Sequence, residues 1–348
     1  MAGGLGTRFW PISRSSKPKQ FLNFAKSGKS FLRLAYERVA GIIPAGNILV
    51  VSQERYRDLV LADIPELPSN NLLLEPYNRN TASCIAYASY TILRRDPEGV
   101  ALITPSDQVV EDHDKYRNTV STGLEYAASN DVLLTLGVVP RRPDPNFGYI
   151  QTEIPMADGT PVRVKTFTEK PSVELARVFL DSGEFLWNAG IFIWKAAVIT
   201  EEMEKYVPEV TRQWDGWQDY IGTAGERSFL ERIYPDMPRT SIDYAVMEKS
   251  DRVMAIPAGF DWNDLGNWDS LYEYFSDGDN SVKVNGKSLM EENSGTLVFS
   301  PSPDKLVAVK GLKDFIVADI DNVLMICPRD DIKDFVSELS LPEYEKFK

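Results

Sequence analysis

Near its N-terminus the chain combines glycines and cations in the way that a phosphate-binding loop requires. The segment Ala2-Gly3-Gly4-Leu5-Gly6-Thr7-Arg8 holds three glycines, and Lys19 follows it in Pro18-Lys19-Gln20-Phe21. Glycine lets the backbone approach an anion closely and aim its N–H groups inward, while Arg8 and Lys19 add positive charge. Residues 1–30 contain six Lys or Arg and no Asp or Glu, although the whole chain has a formal net charge of −13. A basic segment on an acidic protein indicates a small anionic ligand rather than nucleic acid, which needs a broad basic face.

Two other phosphate-binding patterns fit this region poorly. A dinucleotide-binding fingerprint requires a third glycine three residues after Gly6, where Phe9 stands instead. Residues 23–30 end like a Walker loop, but Asn23 replaces its first glycine and no strand immediately precedes it. We therefore expect a tight turn at Ser27-Gly28 with Lys29 in solvent. A kinase remains an alternative that differs in its product, because it would release a nucleoside diphosphate instead of pyrophosphate.

Length and composition set further bounds. The 348 residues predict about two domains, and no apolar run approaches the roughly 18 residues of a membrane-spanning helix. The chain has two cysteines, Cys84 and Cys327, and a single histidine, His113, in a charged stretch. These counts argue against a disulfide framework, a Ser-His-Asp or Cys-His mechanism and a His-rich zinc site. We expect a cytoplasmic protein whose mechanism needs no imidazole base, as phosphate chemistry allows because a phosphate monoester is mostly dianionic at neutral pH.

The elements that must position these residues alternate between strands and helices over the first two thirds of the chain. Apolar runs and helical periodicity predict the following strands and helices: strands at 48–52, 71–75, 100–104 and 132–138, and helices near 53–63, 81–95, 115–129 and 173–181. This alternation predicts a mostly parallel sheet covered by helices on both faces, with ligands beyond the carboxyl ends of the strands. A phosphate loop at that edge needs a strand before it, so residues are expected to be missing before Met1.

The last part of the chain has a different pattern. From 281 to 326 it consists of short apolar stretches separated by turns such as Asn285-Gly286 and Lys310-Gly311, and residues 330–339 predict a closing helix. Small stacked units of this kind are rarely stable on their own. We therefore expect them to lean on the main domain or on another subunit, and we predict a homodimer.

Taken together, the motifs resemble those of sugar-1-phosphate nucleotidylyltransferases, and their residues are similar to those of the mannose-1-phosphate guanylyltransferase branch. The resemblance begins with Gly-Gly-x-Gly-Thr-Arg, Phe9-Trp10-Pro11-Ile12-Ser13-Arg14 and Lys19-Gln20-Phe21, and covers about residues 2–275 in seven motifs in family order. It implies a Rossmann-like, mostly parallel (mixed) sheet of glycosyltransferase-A type in a catalytic domain at 1–276. Residues 277–348 would form a short left-handed parallel β-helix with a terminal helix, a dimerisation domain in this reading.

The resemblance also implies a nucleotide site. The segment Glu75-Pro76-Tyr77-Asn78-Arg79-Asn80-Thr81-Ala82 resembles one that lies along the nucleotide base, although Asn80 or Thr81 could simply cap the following helix. Asp107 in Pro105-Ser106-Asp107-Gln108 and Asp264 in Trp262-Asn263-Asp264-Leu265-Gly266 are the implied Mg²⁺ ligands, which suits a metal that takes one or two carboxylates. The implied nucleotide-binding residues are Ala2, Gly3, Gly4, Gly6, Thr7, Arg8, Lys19, Asn78, Arg79, Asn80, Thr81, Ser106 and Asp107.

A sugar-phosphate site is implied by three further segments. Gly148 in Asn146-Phe147-Gly148-Tyr149-Ile150, the pair Glu169-Lys170 before Pro171, and Asn188 in Trp187-Asn188-Ala189-Gly190 resemble the family's sugar-binding motifs. An adjacent Glu-Lys pair alone is usually solvated and of little energetic value. Asp243 lies in a segment whose apolar spacing suits a core-facing helix, so its role is open between structure and sugar binding.

The resemblance implies an enzyme that converts mannose 1-phosphate and GTP to GDP-mannose and pyrophosphate with Mg²⁺. The implied catalytic residues are Arg8, Lys19, Asp107 and Asp264, with Lys170 holding the attacking sugar phosphate. Catalysis would then consist of positioning and electrostatic stabilisation. Two alternatives remain: an enzyme that makes a UDP- or dTDP-sugar, and a regulatory nucleotide-sugar-binding protein without turnover. We expect neither nucleic acid nor membrane as a partner.

Overall fold

The structure of the protein is a computed structural model that describes residues 1–4, 6–23, 28–153, 159–276, 281–284, 286–302, 304–332, 335–336 and 342–347. Its strands are β1 (Val50–Gln53), β2 (Leu72–Glu75), β3 (Val100–Ile103), β4 (Val109–Val110), β5 (Leu133–Val138), β6 (Tyr149–Thr152), β7 (Val162–Thr168), β8 (Phe185–Lys195), β9 (Val253–Ala258), β10 (Trp262–Asn263), β11 (Ser281–Val284), β12 (Lys287–Glu291), β13 (Thr296–Phe299), β14 (Leu306–Lys310), β15 (Phe315–Ile320) and β16 (Val323–Pro328). Its α-helices are α1 (Phe31–Ala40), α2 (Arg57–Asp63), α3 (Asn80–Arg95), α4 (His113–Ser129), α5 (Val173–Ser182), α6 (Ala196–Tyr206), α7 (Pro208–Thr211), α8 (Glu226–Ile233) and α9 (Trp268–Phe275).

The predicted strands and helices of the first half are present, with small shifts at their ends. The first predicted helix is a 3₁₀ turn at Glu54–Tyr56 that continues as α2. Helix α4 begins at His113 because the Asp112 side chain caps it, accepting from the Lys115 N–H at 3.0 Å. The predicted closing helix at 330–339 lies partly outside the described residues, and its start is a 3₁₀ turn at Arg329–Asp331.

The chain divides into two compact units that interleave along the sequence. The larger unit contains residues 1–3, 33–106 and 110–262, and the smaller unit contains residues 4–32, 107–109 and 263–348. The division passes between Gly3 and Gly4 and again between Ser106 and Asp107. These two units are not the contiguous segments 1–276 and 277–348 of the predicted domains. That the first segment is catalytic and the second mediates dimerisation remains a prediction.

In the larger unit a mixed six-stranded sheet has the strand order β3-β8-β5-β9-β7-β6. The prediction of a mostly parallel sheet is wrong for this sheet, where the pairing of β5 with β9 is parallel and the other pairings between its described strands are antiparallel. Two strands cause this: the eleven-residue β8 runs opposite to β3 and β5, and β7 runs opposite to β6 and β9. Strands β1 and β2 form a separate parallel pair.

Helices cover both faces of this sheet, as predicted. Residues of α3 and α6 pack with Leu133 and Phe192 in one buried cluster, and residues of α4 pack with Leu134 and Ile193 in another. Because neighbouring strand residues point to opposite faces, the two clusters lie on opposite sides of the sheet. The backbone of residues 1–2 is bonded to β1 and to the segment after β3, through Ala2 N to Val51 O (2.7 Å) and Ser106 N to Met1 O (3.1 Å).

The smaller unit contains two short sheets, with strand orders β11-β13-β15-β16 and β12-β14. All of these pairings are parallel except β15 with β16. The N-terminal segment belongs to the same core: the Trp268 indole donates to the Trp10 carbonyl (3.1 Å), and the Trp10 indole donates to the Phe347 carbonyl (2.7 Å). The predicted turn at Ser27-Gly28 lies partly outside the described residues, and Lys29 is exposed as predicted.

Two predictions from composition can be compared with the structure. Cys84 and Cys327 are buried free thiols. In the part of the chain that the structure describes, no helix has both the length and the apolar character needed to cross a bilayer.

Candidate active site

In the smaller unit, Lys19 is a buried cation held by two of the predicted site residues. Its residue is 4% exposed, and its ammonium donates to Asp107 Oδ2 at 3.0 Å and to the Asp264 carbonyl at 2.7 Å. The Nζ atom also lies 5.8 and 5.5 Å from the ring centroids of Phe9 and Phe31. Burying a charge is costly unless it is paired, so these contacts fix Lys19 and Asp107 together.

Gly6 of the glycine-rich segment packs closely against Lys19, so only a glycine fits at this position. Gly6 has φ +62°, and a Cβ at that position would lie 2.6 Å from Lys19 Cβ and 2.7 Å from Ser13 Oγ. A side chain would therefore suffer both an unfavourable backbone conformation and a steric clash. The Gly4 carbonyl accepts from Gln20 Nε2 at 3.2 Å, which further fixes the segment.

Arg8 and Asp264 both lie next to Gly266 of the smaller unit. A Cβ built on Gly266 would lie 2.6 Å from Asp264 Oδ2 and 3.8 Å from Arg8 Nη1. Arg8 is exposed, so its guanidinium is open to a ligand in solution. The four predicted catalytic residues, Arg8, Lys19, Asp107 and Asp264, thus all belong to one unit, and Lys19 contacts both aspartates.

The donor set fits a magnesium ion. Asp107 and Asp264 offer hard carboxylate oxygens, and a magnesium ion usually takes only one or two protein carboxylates, with water and phosphate oxygens completing its shell. Among the described residues no cluster of three or more His, Cys, Asp or Glu side chains has the geometry of a metal site.

In the larger unit, Gly3 is fixed from two sides. Its carbonyl accepts from Gln53 Nε2 at 2.5 Å and from Asn78 Nδ2 at 3.2 Å, and the neighbouring Ala2 carbonyl accepts from Ser52 Oγ at 2.9 Å. These bonds hold the backbone of residues 2–3 in one conformation. Gln53, at the end of β1, was not predicted as a site residue because nothing in its local sequence distinguishes it.

The predicted base-reading segment at 78–81 is largely occupied by internal contacts. Arg79 donates to the Tyr234 carbonyl at 2.8 Å and to the Pro235 carbonyl, while Thr81 Oγ1 accepts from Ile242 N at 2.9 Å. Asn80 has φ +69°, and its Oδ1 accepts from Thr81 N at 2.8 Å. These contacts fix the start of α3, which is a structural role for Arg79 and Thr81.

Glu75, at the end of β2, is a buried carboxyl beside the same segment. It is 4% exposed, and its Oε1 accepts from the Tyr234 hydroxyl at 3.1 Å. Burial raises the pKa of Glu75 to about 8, and the Tyr234 hydrogen bond opposes that shift. The motif around Glu75 could have indicated this residue, whereas no local pattern indicates Tyr234, which lies 159 residues away.

The predicted sugar-phosphate residues come together in the larger unit. Lys170 Nζ donates to Glu169 Oε1 at 2.5 Å, and Asn188 Nδ2 donates to Asp243 Oδ1 at 2.9 Å. A Cβ on Gly148 would lie 2.4 Å from Glu169 Oε2 and 3.3 Å from Asn188 Cβ, so glycine is needed to admit both side chains. Asp243 lies in a short π-helix at Asp243–Met247 rather than in an α-helix.

In this cluster the pKa values of both Lys170 and Asp243 are raised. Burial lowers the pKa of Lys170, but the hydrogen bond and charge of Glu169, with Asp243 nearby, outweigh it and raise the pKa. Burial, together with the charge of Glu169, raises the pKa of Asp243. Lys170 therefore stays protonated at neutral pH.

Asn188 is more strongly committed to the protein than predicted. Its Oδ1 accepts from Thr135 Oγ1 at 2.9 Å and from Gly190 N at 3.0 Å, and its Nδ2 donates to Asp243. An amide nitrogen has two N–H donors, so one remains for a ligand. Asn188 thus orients Asp243 as well as offering a donor.

Comparison with known proteins identifies relatives of this chain. A family model described as "Nucleotidyl transferase" matches residues 1–281. A mannose-1-phosphate guanylyltransferase of Escherichia coli K12 is 32% identical over 96% of this chain and 70% of its own length, and one of Klebsiella pneumoniae is 30% identical over 100% and 74%. A Thermus thermophilus crystal structure titled "mannose-1-phosphate geranyltransferase" has a TM-score of 0.86 at 30% identity and covers 98% of each chain.

These matches define the class first: the protein is a nucleotidyltransferase with a mixed α/β fold. Within that class, the chain belongs to the mannose-1-phosphate guanylyltransferase family.

Proposed function

We propose that the protein catalyses the reaction of mannose 1-phosphate with GTP to give GDP-mannose and pyrophosphate. The family supports this proposal, and the observation that carries it is the cluster of Gly148, Glu169, Lys170, Asn188 and Asp243. It combines a protonated lysine with carboxyl and amide groups around a glycine opening. A dianionic phosphate attached to a sugar with several hydroxyls needs this set of partners.

The residues of the larger unit would bind and orient the nucleophile. Lys170 holds the phosphate of the sugar substrate, Glu169 and Asp243 accept from its hydroxyls, and Asn188 keeps Asp243 in place. One phosphate oxygen attacks the α-phosphorus of the nucleotide in line, and the bond from that phosphorus to the pyrophosphate oxygen breaks. No proton has to be removed from the nucleophile, because the sugar phosphate is already ionised.

The residues of the smaller unit would stabilise charge. Arg8 and the N–H groups of the glycine-rich segment bind the leaving pyrophosphate, and Lys19 acts next to the α-phosphate and holds Asp107. Asp107 and Asp264 would hold Mg²⁺, which supplies neutralisation of phosphate charge when bound.

The direct test is a substrate matrix. Purified protein with Mg²⁺ is incubated with GTP, UTP, dTTP or ATP and with mannose 1-phosphate or glucose 1-phosphate, and pyrophosphate release is followed. We expect release that requires both GTP and mannose 1-phosphate. Pyrophosphate release with another nucleotide or sugar would show that the substrate differs from the one proposed. Release of a nucleoside diphosphate would indicate the kinase alternative. No release with any pair would favour a binding protein.

Replacing Asp264 by asparagine should weaken the dependence on magnesium. The change keeps the side-chain shape but removes one negative ligand, so the Mg²⁺ concentration for half-maximal rate should rise about tenfold. The measurement is the initial rate across a Mg²⁺ titration. Asp261→Asn is the matched control, since Asp261 is exposed and pairs with Arg141 at 2.8 Å. An unchanged titration for Asp264→Asn would mean that Asp264 is not a ligand.

We also propose that the C-terminal strands form a left-handed parallel β-helix and that two copies of the chain associate through this region. The two parallel ladders support the first point, with Leu297 paired to Ile316 and Lys287 paired to Leu306. Exposed apolar side chains support the second: Leu324 is 62% and Ile326 54% exposed on the same face of β16. A cytoplasmic location is part of the proposal, and the two buried free thiols support it.

The double substitution Leu324→Lys and Ile326→Lys should convert the dimer to a monomer. Each lysine places a charge where apolar side chains would meet, and an interface tolerates such desolvated charges poorly. The measurement is molar mass by light scattering after gel filtration. Val178→Lys is the control, because Val178 on α5 is 61% exposed in the larger unit. A wild-type monomer, or a dimer that survives the double substitution, would contradict the proposal.

A further inference from the structure

The turn that carries Glu169 and Lys170 has an unusual backbone. Lys170 has φ +48°, the left-handed conformation that a residue with a Cβ adopts only at a cost in free energy. Such a conformation persists where the surrounding structure imposes it. The segment that carries Asp243 supplies this support, and it belongs to the same larger unit.

Two side chains of that segment bind the backbone of Glu169 at both of its polar groups. Glu248 Oε1 accepts from Glu169 N at 2.8 Å, and the Tyr244 hydroxyl donates to the Glu169 carbonyl at 3.3 Å. The first bond involves a carboxylate and is therefore the stronger of the two. The second bond holds the peptide group that joins Glu169 to Lys170. Together they fix the direction in which the Lys170 side chain leaves the backbone.

The π-helix at Asp243–Met247 explains how one segment reaches this turn at separate points. Its bond from Glu248 N to the Asp243 carbonyl (3.0 Å) joins residues five apart, one more than in an α-helix. In an α-helix of 3.6 residues per turn, residues five apart point about 140° away from each other. In the wider turn of a π-helix they lie nearly above one another. Asp243, bonded to Asn188, and Glu248, bonded to Glu169, therefore face the same cluster.

The rest of the π-helix anchors these contacts in the core. Ala245, Val246 and Met247 are buried in the cluster that also contains residues of α3 and α6. Tyr244 is 44% exposed and Glu248 is exposed as well, so neither side chain is needed to fill the core. Their bonds to Glu169 therefore serve the turn rather than the packing of the unit.

We propose that Glu248 and Tyr244 are positioning residues of the sugar-phosphate site. They set the turn so that the Lys170 ammonium meets the phosphate and the Glu169 carboxylate meets the sugar hydroxyls. This inference rests on the proposed reaction, and it adds two residues that act through Glu169 rather than on the substrate. A turn that relaxed without them would have to be ordered again on binding, which weakens affinity. The loss would fall on mannose 1-phosphate and not on GTP.

Glu248→Ala tests the stronger bond, by pyrophosphate release with each substrate varied in turn. We expect KM for mannose 1-phosphate to rise about tenfold, with kcat and KM for GTP little changed, because hydrogen bonds to charged groups contribute to this extent. Glu248→Gln keeps an acceptor oxygen in place, so its KM should stay within about threefold of the wild-type value. Asp96→Ala is the matched control, since the exposed Asp96 also accepts from a backbone N–H, that of Glu98 at 3.0 Å. Its loss should change neither KM.

Tyr244→Phe covers the case in which Glu248→Ala does not fold, because it removes a single hydroxyl from a partly exposed side chain. We expect KM for mannose 1-phosphate to rise about threefold, again with KM for GTP unchanged. A wild-type KM for mannose 1-phosphate in these variants would overturn the proposal, as would equal losses for both substrates, which a merely structural role produces. A wild type that releases no pyrophosphate from GTP and mannose 1-phosphate would instead refute the proposed function, so the two failures are distinguishable.

Discussion

Replacing Arg8 by alanine is expected to lower turnover by roughly 100-fold or more, as the loss of one charge-stabilising donor typically does. Arg8 is exposed, and both its Nη1 and Asp264 Oδ2 lie next to Gly266, in the same unit as Lys19 and Asp107. In the proposed reaction its guanidinium stabilises the charge that grows on the leaving pyrophosphate. The measurement is kcat from pyrophosphate release at saturating GTP and mannose 1-phosphate.

Two further variants make the Arg8 result specific. Arg8→Lys keeps the charge but loses the planar fork of donors, so we expect an intermediate rate. Lys313→Ala removes another exposed cation of the smaller unit and should leave turnover near that of the wild type. Near-normal turnover in Arg8→Ala would remove Arg8 from the mechanism.

Replacing Lys170 by methionine should lower kcat/KM for mannose 1-phosphate by about 100-fold or more, since the loss of one charge-stabilising donor typically has an effect of this size. The change removes the cation that would hold the sugar phosphate. It also leaves the carboxyls of Glu169 and Asp243 without the lysine that neutralises them. Steady-state kinetics with each substrate varied in turn should show the loss mainly in the kinetic parameters for mannose 1-phosphate, with KM for GTP little changed.

Lys165→Met is the control for this loss. Lys165 is an exposed lysine on β7, the strand that leads to Glu169 and Lys170. Its replacement should alter neither substrate. If Lys170→Met raises KM for GTP and leaves the sugar-phosphate parameters unchanged, Lys170 belongs to the nucleotide instead.

Local sequence patterns predicted the elements of the fold better than their arrangement. The ends of α3 and α4 and of β2 and β5 lie close to those that apolar periodicity predicts, because this pattern acts over a few residues. The direction of β8 does not follow in this way. Its apolar pattern would be the same in a parallel or an antiparallel position, because a strand buried on both faces has no marker of direction.

In the candidate site too, the sequence predicted which residues belong to a motif but not the contacts that they make with residues far away in the chain. The motifs predicted which residues gather around Gly148, and Glu169, Lys170, Asn188 and Asp243 do gather there. The motif at 78–81 could not reveal that Arg79 is bonded to the Tyr234 carbonyl, 155 residues away. Whether a polar side chain is free for a ligand depends on its partners in space, and a single sequence does not record them.

The indole bond from Trp10 to Phe347 spans 337 residues and thereby constrains how the chain can fold during synthesis. Phe9 and Trp10 leave the ribosome long before Trp268, Phe299 and Ile316, which belong to the core that they join. Contacts of such large sequence separation form late, because a long loop must close before they are gained. The segment that carries Arg8 and Lys19 therefore acquires its native surroundings only after these distant residues have been synthesised. A nascent chain exposes these aromatic side chains meanwhile, and chaperone demand should depend on the C-terminal strands more than on the sheet that precedes them.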